Sequence, residues 1–189
     1  MLNVQRLRRA FAITAIACAA PLLPAFVANG VLFAQQPTPV TMLGYKATAP
    51  AGWTWRTPSS SMRLAEYVAG APGGAEVVVY YFGPSQGGTV QANLERWHSQ
   101  FSNPDGSAVA EKITQDKTIV SQLTVAEYRG TYARGIGAGS APADAKPGQI
   151  LLAVVAETPK GTLFFQLFGP AVAVMAQRDA YIAFAKSLK

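Results

Sequence analysis

Residues 77–101 read VVVYYFGPSQGGTVQANLERWHSQF, and the succession of patterns within them decides the fold. Residues 77–82 are an unbroken apolar run of β-branched and aromatic side chains, the composition of a strand covered on both faces. Gly83-Pro84-Ser85-Gln86-Gly87-Gly88 then breaks it. Beyond the break, Val90, Leu94, Trp97 and Phe101 recur at spacings of four, three and four, one stripe of a helix, while Gln91, Asn93, Glu95, Arg96 and Gln100 are expected to face water. Thr89 is the expected N-cap. A strand that runs through a turn into a helix with a single apolar stripe must lay that helix back on the sheet. The stretch therefore predicts an α+β fold, an antiparallel β-sheet flanked by helices.

The chain upstream supplies partners for that strand. Residues 43–48 alternate weakly as a first strand, and Pro50-Ala51-Gly52-Trp53 turns the chain into 53–56, an edge-like segment with Trp53 and Trp55. Residues 62–68 alternate as a strand with a mixed face. Residues 70–74, with three glycines and Pro72, then close an antiparallel hairpin onto the central run.

Downstream, residues 102–106 form a turn and 110–117 read as short and polar, with no element assigned. Residues 123–132 alternate as a strand, with Tyr128 and Tyr132 on one face and Leu123 and Val125 on the other. Residues 134–148 are rich in glycine and alanine and carry Pro142 and Pro147, the composition of a loop; their Gly135-Ile136-Gly137-Ala138-Gly139-Ser140 is no phosphate cradle, because no helix follows. Two apolar runs, 149–157 and 162–169, are joined tightly by Thr158-Pro159-Lys160-Gly161 as a hairpin. Pro170 opens a final helix with Val174, Met175, Tyr181, Ile182, Ala185 and Leu188 inward and Gln177, Arg178, Asp179 and Lys186 outward.

The 189-residue chain opens on a targeting pattern. Arg6, Arg8 and Arg9 precede an apolar stretch, and Leu32-Phe33-Ala34 is a small-residue cleavage site, so residues 1–34 are read as a signal peptide, 35–41 as a short linker and 42–189 as one domain. Competing readings are lipidation at Cys18, export through the Arg8-Arg9 pair, and an uncleaved anchor over 10–34. With the three arginines set aside, the net charge falls from +6 to +3. No run of basic residues remains, which excludes an electrostatic footprint for nucleic acid. Cys18 is the only cysteine, so the domain rests on its hydrophobic core without disulfides.

Chemistry-bearing motifs are sparse. His98, the only histidine, sits at the margin of the helix stripe. Gly83-Pro84-Ser85-Gln86-Gly87 has the letters of a G-x-S-x-G elbow, but the ten acids are dispersed and metal-ligand spacing is missing. The turn before the helix resembles a P-loop in its glycines but lacks the lysine. The expectation is a non-enzymatic domain that needs no cofactor or metal.

Several features together resemble the PsbP-like domain: P-x-G-W at 50–53, the VVVYYF run, the helix through Trp97, the closing hairpin, and Phe168-Gly169-Pro170 leading to a C-terminal helix that ends Lys-Ser-Leu. The resemblance spans 42–189 and implies an α/β/α sandwich, the fold of a photosystem II extrinsic protein and of a Ran-binding import factor. It implies an accessory or binding domain, here exported to the periplasm or secreted, with a protein partner or small ligand in the cell envelope and membrane contact only through an uncleaved or lipidated N-terminus. The candidate ligand or partner residues are Gly83, Gln86, Gly87 and Gly88 with the nearby aromatics Trp53 and Trp55. A small hydrolase or transferase with an acid-based site, and an anchored structural protein of the envelope, are the alternatives.

Overall fold

Apolar side chains at successive positions require cover on both sides, and β5 (Ala75–Tyr80) receives it at the middle of an eight-stranded sheet. The computed structural model describes residues 37–70, 73–133 and 145–189. Along one direction β5 pairs with β4 (Arg63–Ala69), and β4 with β3 (Trp53–Trp55). Along the other it pairs with β10 (Gly161–Pro170), which leads through β9 (Lys146–Thr158) to β8 (Gln122–Tyr132). Two strands share the outer edge of β8: β6 (Phe101–Ser102) near its end and β7 (Ala110–Lys117) along most of its length. Every pairing is antiparallel, and Thr158 stands opposite Gly161, so Pro159 and Lys160 alone make the β9–β10 turn.

Side chains alternate across each strand, which sorts the core into two layers. Val77, Val79, Leu152, Val154, Leu163, Phe165 and Leu167 face α2 (Ala171–Lys186), where Val174, Tyr181, Phe184 and Ala185 are buried. Phe164, Val155, Ala153, Ala126 and Tyr128 face α1 (Val90–His98), where Leu94 and Trp97 are buried. Burying one such large apolar side chain contributes about 1.5–3 kcal/mol. The α2 layer is completed by a separate hairpin, β1 (Thr38–Met42) and β2 (Tyr45–Ala49), whose Met42, Tyr45, Ala47 and Ala49 join the same core. The C-terminus is tied to it: Lys46 and Lys189 exchange backbone hydrogen bonds of 2.9 and 3.0 Å, and the Thr48 N–H donates to the Ser187 hydroxyl. Helix, sheet, helix is the layering expected of an α/β/α sandwich.

Several expectations are corrected. Residues 38–41, read within a linker, form most of β1, and Leu43 and Gly44, read as the start of a strand, make the turn, both with positive φ. Two left-handed residues are what a tight hairpin requires. Residues 110–117, left without an element, form β7; both its faces are exposed, so it has no burial period to read. The first helix ends at His98, and Phe101 reaches the same core from β6. Asn93 is buried rather than wetted, Met175 is exposed, and Phe184 is the missed anchor of α2. Residues 146–148 belong to β9; the Gly135–Ser140 glycine run lies outside the described residues, as does the region read as a signal peptide.

Candidate functional site

The turn before α1 is held from inside. Thr89 caps the helix as expected, its hydroxyl accepting from the Ala92 N–H at 3.1 Å. The buried Asn93 amide donates to the carbonyls of Gly87 (2.7 Å) and Thr89 (2.9 Å), and Arg96 donates to its carbonyl oxygen at 2.6 Å. Gly87 has φ +94°, and a Cβ there would stand 2.7 Å from the Phe164 ring and 2.9 Å from Phe82. Gly83 and Gly88 also have positive φ, and Gln86 is exposed with its N–H on the Gly83 carbonyl.

Trp53 and Trp55 lie on the opposite layer. Trp53 is buried against Tyr67 and Phe184, and its indole N–H donates to Gln177 of α2 at 2.9 Å. Trp55 rests edge-on against Tyr67 and keeps half its surface in solvent. The candidate residues therefore divide between two sides of the sheet: the glycine turn seats on the α1 core, and the tryptophans seat on the α2 core.

A third place brings polar and aromatic groups together. α1 is only nine residues long and lies over β8 to β10. On the same face, Glu76, Val78 and Tyr80 of β5, Gln166 and Phe168 of β10, Leu151 of β9 and Tyr132 of β8 line a small cavity. Arg63 and Glu66 of β4 adjoin it. In a regular strand residues three apart point to opposite faces, but β4 bulges between Arg63 and Ala65, and the extra residue returns Arg63 to the face of Glu66. The Arg63 guanidinium then donates to Glu66 at 2.9 Å, approaches Glu76 at 3.4 Å and lies 5.4 Å over the Tyr80 ring. The Ser59 N–H and hydroxyl complete the Glu66 shell at 3.3 and 3.4 Å.

These contacts fix the charge state. Burial opposes ionisation of Glu66, yet the hydrogen bonds from Arg63 and Ser59 outweigh it and hold its carboxyl below the ordinary value. Burial likewise works against the charged Arg63, and Glu66, Tyr80 and Glu76 together raise it above its ordinary value. The cluster is thus an ionised pair with a second carboxylate beside it, walled by Tyr80, Tyr132 and Phe168. Such a group can receive a positive or amide-bearing side chain by charge, hydrogen bond and ring face. Across the sheet, Glu127 is held by Arg129 and by Arg178 of α2. His98 stands at the end of α1 with its ring edge-on to Tyr128, 5.8 Å away.

A solved structure decides the architecture. Cyanobacterial PsbP (CyanoP) from Synechocystis sp. PCC 6803 superposes with a TM-score of 0.53 at 15% identity, covering 88% of this chain and 98% of that one. The fold is PsbP-like. No protein-family model matches the chain, and no curated protein sequence matches it significantly. The likeness covers the fold; the ionised cluster on β4 and β5 is read from the contacts in this chain. Sequence reasoning saw the mixed face of β4 and missed this cluster, because the bulge and the cross-strand register that assemble it leave no periodic trace.

Proposed function

We propose that the protein is an exported, non-catalytic accessory domain that docks a basic segment of a partner protein on the part of its sheet beside α1. The observation that carries this reading is the Arg63–Glu66–Glu76 cluster beside Tyr80, Phe168 and Gln166. Its one cation and two carboxylates leave an excess negative charge next to aromatic faces, the combination that receives an ammonium or guanidinium. The PsbP-like fold supports an accessory role, and the positive n-region with its apolar run and cleavage site supports export. The glycine turn and the tryptophans rank below the cluster as contact points, since Gly87 packs against Phe164 and Phe82, Trp53 against Phe184, and Trp55 against Tyr67.

Photo-crosslinking tests the reading. A crosslinking residue at Gln166 in the protein expressed in its own cell should give one discrete adduct that is lost when Glu76→Arg is added. The same residue placed at Gln86, Trp55 or the exposed Val172 should give none. Adducts from Gln86 or Trp55, with Gln166 silent, would move the docking surface to the turn or the β3 edge and overturn the assignment.

A further inference from the structure

The outer edge of β7 is the longest open strand edge among the described residues. β8 holds its inner side from Ala110 to Lys117, no described residue pairs with its outer side, and Ile113 is exposed. An open ladder of N–H and C=O groups is a template for another strand, and charges placed along it decide which strand is accepted. The edge reads Glu111-Lys112-Ile113-Thr114-Gln115-Asp116-Lys117. Reversed about Thr114, the same sequence sets Glu111 against Lys117 and Lys112 against Asp116, and by symmetry does so twice. A parallel, in-register pairing would instead set every charge against its own kind.

We propose that β7 is a self-association edge, on which two copies of this chain pair antiparallel about a two-fold axis at Thr114 and join their sheets into one. Pairing partners keep the same parity, so Lys112, Thr114 and Asp116 share one face of the joined sheet and Glu111, Ile113, Gln115 and Lys117 the other. Lys186 of α2 holds Asp116 on its own face and orients it beside the edge. Seven of the eight β7 residues are exposed, and Lys186 is the α2 side chain that pairs with the strand, at Asp116. The contact is one strand wide, which places it among weak, concentration-dependent associations whose strength rests on charge and so falls with salt. This inference is independent of the docking cluster, which lies at β4 and β5.

Sedimentation velocity across micromolar to millimolar concentration provides the test, using Glu111 and Lys117 because neither forms the ion pair with α2. The purified protein should dimerise, less so at high salt. Lys117→Glu and Glu111→Lys should each weaken self-association about tenfold or more, since each turns two attractive cross-strand pairs into repulsive ones. An equimolar mixture of the two variants should recover association, because the heterodimer restores every opposite-charge pair. In a Cys18→Ser background, Thr114→Cys should crosslink to itself on oxidation, as facing Cα atoms stand about 4.5–5.5 Å apart in antiparallel pairs. Glu111→Cys should not. A monomer at every concentration, a dimer indifferent to both charge changes, or crosslinking at 111 equal to that at 114 would overturn the proposal.

Discussion

At Gly87 the chain has no room for a side chain, and the neighbouring glycine separates the two reasons for that. Gly88 shares the left-handed backbone but its Cβ direction meets only Asn93 at 3.6 Å, an ordinary contact, whereas at Gly87 the rings of Phe164 and Phe82 block it. Gly88→Ala should therefore cost about 1 kcal/mol from backbone strain, and Gly87→Ala about 2 kcal/mol or more because overpacking is added. Denaturant titration reads the difference, and equal losses would mean that the turn does not seat on Phe164. Glu66 gives a second prediction at this scale. Its folded carboxyl lies below the ordinary value, so its contribution is present above the unfolded value and is lost as pH falls through the folded one. Glu66→Gln should cost about 1–3 kcal/mol at neutral pH, and the gap to wild type should narrow as pH drops below the ordinary carboxylate range. Asp105 and Asp116, also held below the ordinary value, remain in both proteins and cancel in that comparison. A gap independent of pH would contradict the ionised pair.

The elements differ in how readily the sequence discloses them, and the difference follows burial. α1, β5, β8 and the β9–β10 hairpin were legible because each buries a regular set of side chains, Leu94 and Trp97 on the helix and alternating faces on the strands. β7 is exposed on both faces and β1 carries Pro39 on a two-stranded ribbon, so neither writes a period into its residues. The burial of Asn93 lies outside the helix stripe because its role, closing two loop carbonyls, belongs to the turn. Within α1, Trp97 is almost wholly buried while His98 is half-buried at the rim. Trp97→Ala should cost about 3–5 kcal/mol and His98→Ala under about 1 kcal/mol. Similar losses in thermal or denaturant unfolding would put the wrong face of α1 on the sheet.

For the whole molecule, the sheet divides its labour between two faces. The α2 layer, reinforced by the β1–β2 hairpin and the tie between Lys46 and Lys189, closes over Val77, Val79, Val154 and Phe165. The other layer has one short helix, and beside it stands the cluster of Arg63, Glu66 and Glu76 with Gln166 and Phe168. Arg63, Glu66 and Glu76 give the second face its charge. The direct test is NMR of the purified protein with a soluble paramagnetic probe. Side-chain signals of Glu76, Gln166 and Phe168 should broaden while those of Val77, Val79 and Leu167, on the same strands but the opposite face, stay sharp; equal protection of both sets would contradict an accessible docking face.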